Sequence, residues 1–137
     1  MRFVGRAAYA LFSWLFVAGV LVQVFLAGLV VVARRATWEN HIGLGHSLAF
    51  PLLLMLISMY VGRMPRSVKR MTWVLFAVYV VQADVVIFLR DSIPFASALH
   101  PVLALVDFAL GWSLARRAWM LLKSPSDSSL SPSVPAA

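Results

Sequence analysis

The sequence contains no cysteine, which excludes a disulfide framework and every thiolate metal site. It is also poor in acid, with five Asp and Glu against twelve Lys and Arg. Charged residues of both signs make up only 12% of the chain, where a soluble domain carries about a quarter. There is no Ser/His/Asp order suited to a nucleophile, no HExxH pair and no phosphate-cradling glycine loop. Enzymatic work is therefore not expected. A lipid anchor is not expected either, since position 2 is Arg and there is no Cys.

What fills the space is apolar: 62% of residues are hydrophobic, with a mean hydropathy of +0.89. Four apolar runs, residues 7–33, 42–62, 71–90 and 99–119, each suffice to cross a ~30 Å hydrocarbon core, which takes about 20 helical residues. Four short strands could not close a barrel, and an open sheet edge cannot face lipid. The expected fold is thus all-α, a polytopic membrane four-helix bundle within residues 1–123, with sequence neighbours antiparallel. The first run is far longer than the ~7–15 residues of a signal-peptide core and reads as a retained span. Gly62 and Pro65 are expected to end the second span, Pro51 to kink it, and Pro101 to open the fourth helix. Residues 124–137 are Ser- and Pro-rich without apolar periodicity and read as a disordered cytoplasmic tail.

A net charge of +7 would suggest nucleic acid in a soluble domain. Here the cations flank the spans, so the lipid bilayer is the expected partner and nucleic acid is not. Nine of them fall on one side: Arg2, Arg6, Arg63, Arg66, Lys69, Arg70, Arg116, Arg117 and Lys123. Only Arg34, Arg35 and Arg90 fall on the other. The excess of positive charge puts both termini in the cytoplasm.

One offset recurs. His41 and His100 lie 59 positions apart, as do the only two glutamines, Gln23 and Gln82, and also Trp14 and Trp73. The same offset lays the first span on the third and the second on the fourth. It predicts two duplicated helical hairpins related by a pseudo-two-fold axis along the membrane normal.

That symmetry places His41 and His100 at one depth near the outer interface, each opening a helix that returns inward. Helical spacing puts His41, Gly45 and Leu48 on one face, and His100, Ala104, Asp107 and Gly111 on another. Two imidazoles facing across a bundle are the usual axial pair for haem b. Gln23, Gln82 and Asp107 would lie beneath them, and Gly45 and Ala104 would leave room for a flat macrocycle. Other readings remain open at this point. The histidines could simply cap their helices, and the glutamines could bond to one another and pin the two hairpins together. A quinone head group could use His and Asp. A zinc or copper ion on His41 and His100 would need a third ligand, for which His46 and Glu39 are the candidates. Asp84 or Asp107 could carry protons in a transporter, and an intramembrane carboxyl usually faces the bundle interior. Arg90 could reach Asp84 only by bending down.

The strings Gln23-Val24-Phe25-Leu26-Ala27-Gly28, Trp38-x-x-His41 and Leu99-His100-Pro101 resemble an uncharacterised family of small four-helix bacterial integral membrane proteins. The resemblance covers about residues 8–119 and implies four spans in the bacterial cytoplasmic membrane, without implying an activity. Where that family carries an asparagine after the His-Pro pair, this chain has Leu103 and Ala104. A looser architectural likeness links the paired histidines to membrane b-type cytochromes. The expectation is a small membrane protein holding haem b between His41 and His100 for electron transfer with quinone. It would act as a homodimer or within a larger membrane complex. The competing expectation is a non-catalytic membrane subunit or scaffold with structural histidines.

Overall fold

The computed structural model describes residues 1–89, 91–93 and 95–123. The expectations placed on Arg90 and on the 124–137 tail lie outside the described residues. Among those described there is no strand, and four helices are long and apolar enough to cross a membrane: α1 (Arg2–Val31), α2 (Trp38–Val61), α3 (Arg66–Phe88) and α4 (Ala96–Lys123). In lipid a backbone must satisfy its own polar groups, and unbroken runs of Leu, Val, Ala and Phe do so as helices.

α1 packs along both α2 and α4, and α3 along α4 and, less closely, α2. The helices therefore follow one another round a square, with α1 opposite α3 and α2 opposite α4. The centre is filled by Tyr9, Phe16, Leu52, Met55, Met59, Leu75 and Leu114, all fully buried. Across the α1–α3 diagonal the Tyr9 hydroxyl meets Thr72 Oγ1 at 2.6 Å, and Phe16 meets the ring of Tyr79 edge-on at 6.2 Å. Large apolar residues such as Phe25, Phe50 and Leu105 cover the outside, as a lipid-facing surface requires.

The helix ends differ from expectation in instructive ways. α2 closes on Arg63, which takes the left-handed conformation (φ 47°). The Arg63 and Met64 N–H groups donate to Tyr60 O and Met59 O at 3.1 and 2.9 Å, the bond pair that commonly caps a helix C-terminus around glycine. Gly62 itself has an ordinary φ of −74°. Its role is packing: a Cβ there would lie 2.9 Å from Arg6 N on α1. α3 begins at Arg66, with Pro65 as its N-cap. Pro101 falls inside α4 rather than at its start.

α2 is interrupted at Leu48, between Trp38–Ser47 and Ala49–Val61, just ahead of Pro51. Pro51 leaves Ser47 O without its N–H partner, and a neighbour reaches the two carbonyls just before it. The Tyr79 hydroxyl donates to Gly45 O at 2.8 Å and approaches His46 O at 3.4 Å. In α3, residues Val81–Val85 form a π turn, which nothing in the apolar pattern announces.

Candidate functional site

The histidines are held by the helix that precedes each of them. His41 Nδ1 lies 3.2 Å from Gln23 O, and His100 Nδ1 lies 3.1 Å from Gln82 O. Both partners are carbonyl oxygens, so each imidazole donates from Nδ1, and in the neutral ring Nε2 keeps its lone pair. Neither ring caps its own helix; each ties its hairpin together. The two hydrogen bonds span the same sequence distance, 18 residues.

The rings come together at a centroid separation of 6.0 Å and an interplanar angle of 63°. Their helices, α2 and α4, are opposite members of the square, so the pair bridges one end of the bundle. Trp38 packs edge-on against His41 at 5.5 Å and limits how far that ring can swing.

The glutamines do not bond to one another. Gln23 Nε2 donates to His41 O at 2.9 Å, so this side chain joins α1 to α2 within one hairpin. Both glutamines lie level with the imidazoles rather than beneath them. Gly45 has a different task from the one its size suggested: a Cβ there would lie 2.8 Å from Gln23 Nε2. The space is already taken by the Gln23 amide, and glycine is needed for that close approach.

Asp107 lies two turns further along α4, about 10 Å from His100 at 1.5 Å per residue. It faces the bundle interior and is 1% exposed. Its Oδ1, with Gln23 Oε1 and Gln82 Oε1, is buried without a hydrogen-bond partner. Such acceptors are costly in lipid unless a donor reaches them. Three helices thus contribute unmatched oxygen acceptors to the interior.

The remaining candidates lie elsewhere. His46 is exposed and bonds its own Ile42 O at 3.0 Å, and Glu39 is exposed. Among the described residues no three His, Cys, Asp or Glu side chains gather as a metal cluster, which leaves a two-imidazole donor set. Asp84, on the π turn, points outward and not into the interior.

Sequence reasoning missed the π turn and the hydrogen bonds that orient both histidines. Their acceptors are backbone carbonyls, which carry no residue-type signature. The one available signal was the shared spacing of glutamine and histidine in each hairpin.

Residues 23–86 match the model of a family of unknown function (DUF6220). The segment includes Gln23, His41, Gly45 and Gln82 and stops before His100 and Asp107. No curated protein and no solved structure matches the chain. The family match supports an uncharacterised family for this chain, and its four apolar helices fit a multi-pass membrane protein.

Proposed function

We propose that the protein binds a b-type haem through His41 and His100 and exchanges electrons with quinone. The observation carrying this reading is the pair of imidazoles, each oriented by Nδ1 donation to a backbone carbonyl, 6.0 Å apart. Metal-ligating histidines almost always donate their other ring N–H in this way, which fixes the ring and raises its basicity. His41 and His100 would hold the haem iron through the Nε2 lone pairs that Nδ1 donation leaves available. A bound haem would supply a one-electron carrier near the outer membrane surface. The Gln23 amide beside Gly45 would have to swing aside to admit the macrocycle. Gln23 Oε1, Gln82 Oε1 and Asp107 Oδ1 would accept hydrogen bonds from a quinol hydroxyl or from water.

In this reading the two hairpins are duplicates related by a pseudo-two-fold axis, supported by the equal 18-residue spans of the two His–Gln bonds. The membrane is the bacterial cytoplasmic membrane, with both termini on the cytoplasmic side as the excess of positive charge favours. The outward Asp84 favours a neighbour, either a second copy or a larger membrane complex, over a bundle standing alone in lipid.

The competing reading, a non-catalytic subunit or scaffold, rests on the same bonds, since each imidazole already joins two helices. A dithionite-reduced minus oxidised spectrum separates the two. The chain is expressed with haem precursor and purified in mild detergent. A sharp α band of b-type character, lost in both His41→Ala and His100→Ala, is the expected result. A colourless protein, folded in wild type and in both variants, sinks the haem reading.

A further inference from the structure

From the basic end of α4 the geometry points to a binding site for one anionic phospholipid. It takes the phosphate on Arg116 and Arg117 and one acyl chain along the outer face of the helix. Two depressions adjoin there. An apolar groove of about 480 Å³ runs from Val102 past Val106 and Ala109 to Ser113, with Met71 of α3 at its inner end. A second of about 190 Å³ continues it, lined by Trp112, Ser113, Met120 and the two arginines Arg116 and Arg117. Ser113 belongs to both. One continuous surface therefore changes from apolar to cationic within a single helical turn.

The dimensions match one leaflet. Val102 to Ser113 is eleven residues, about 16 Å of helix at 1.5 Å per residue, against about 15 Å for half of a ~30 Å hydrocarbon core. Ala109 and Ser113 keep the floor low, and Leu105 and Leu110 supply walls. Arg116 and Arg117 enter where the uncharged stretch of α4 ends, at head-group level, and both are exposed. Their aliphatic stems can lie along the groove while the guanidinium groups reach the interface. Guanidinium suits phosphate because its planar fork presents paired donors.

Charge decides the class of lipid. The nine Lys and Arg of this end face no acidic side chain there among the described residues. Several of these cations are committed: Lys123 lies 5.1 Å over the Trp119 ring, Lys69 lies 4.7 Å over Tyr60, and Arg6 Nε donates to Gly62 O at 3.4 Å. Arg116 and Arg117 instead flank a depression. Basic pockets against membrane helices are the usual seats of anionic head groups. The site lies at the opposite end of the bundle from the histidines and does not depend on haem binding.

The test is native mass spectrometry of the full chain in mild detergent. Phosphatidylglycerol and phosphatidylcholine with the same acyl chains are titrated in turn. Retention of one phosphatidylglycerol in preference to phosphatidylcholine is expected. The double substitution R116Q/R117Q, on exposed positions, should weaken it by about 25-fold, taking about 1 kcal/mol per basic residue. The double substitution R2Q/R63Q removes the same charge from another part of this end and should change binding less than about threefold, because of screening. Ala109→Trp plugs the groove with both arginines intact and should also abolish preferential retention. Millimolar inorganic phosphate should leave the lipid in place. Equal retention of phosphatidylcholine, equal loss in R2Q/R63Q, undiminished binding in Ala109→Trp, or displacement by free phosphate would each overturn the assignment.

Discussion

Gly5 and Gly62 meet backbone to backbone where α1 crosses α2, so closely that a Cβ on Gly5 would lie 2.7 Å from Gly62 Cα. The contact is rigid on both sides, because no flexible side chain can yield. Small residues at such crossings are what let membrane helices gain dispersion contacts without a hydrophobic driving force.

Gly5→Ala should therefore force α1 and α2 apart and cost about 1–3 kcal/mol, the usual range for overpacking. Gly28→Ala in the same helix meets nothing within 4 Å. It should be neutral or stabilising by up to about 1 kcal/mol through helix propensity. Reversible unfolding in mixed micelles compares the two. Equal effects would show that the crossing is looser than described.

Gln23→Ala removes the amide that reaches His41 O but spares the backbone carbonyl that orients the His41 ring. The expected loss is about 0.6 kcal/mol, the average for a membrane hydrogen bond. Gly45→Ala should displace the same amide. The two substitutions are then coupled, and a double-mutant cycle should return an interaction energy of about 0.5 kcal/mol or more. Strict additivity would mean that Gly45 serves something other than Gln23.

Tyr79→Phe deletes the hydroxyl that supports the interrupted turn of α2, at about 1 kcal/mol. Pro51→Ala restores an N–H that can bond Ser47 O, next to the two carbonyls that Tyr79 reaches. In the Pro51→Ala background the Tyr79→Phe substitution should cost clearly less. An unchanged cost would separate the interruption at Leu48 from the proline.

Thr72→Val breaks the 2.6 Å bond to Tyr9 across the α1–α3 diagonal, whereas Thr72→Ser keeps it. Valine should lose about 1 kcal/mol and serine clearly less, read from the same unfolding experiment. Similar losses would assign the position to methyl packing.

The apolar runs located the four helices because lipid rewards hydrophobicity along the embedded length. They placed helix ends poorly for the same reason. α3 begins at Arg66, not Met71, and α4 continues to Lys123, past Trp119. Backbone hydrogen bonding carries on through charged residues once the helix leaves the hydrocarbon. At the site, spacing alone suggested that His41 and His100 share a level, and they meet at 6.0 Å. What spacing could not reveal is how each ring is held, because the acceptors are main-chain atoms. At Gly45 the small volume admits the side chain of Gln23, a neighbour that spacing did not reveal. The side that Asp84 faces was left open by the sequence, and it is exposed, on the π turn.

That π turn has a further consequence. Gln23 offers its carbonyl to His41 from a regular α-helix, whereas Gln82 offers its own to His100 from the widened turn Val81–Val85. A π turn holds one residue more than an α turn spanning the same height. Beyond it the surface of α3 is rotated by about one residue's step, roughly 100°, from that of an unbroken α-helix. The two imidazoles therefore look alike in their own bonds yet stand in unlike surroundings. The space between the two rings thus has a front and a back, and that asymmetry gives it a direction.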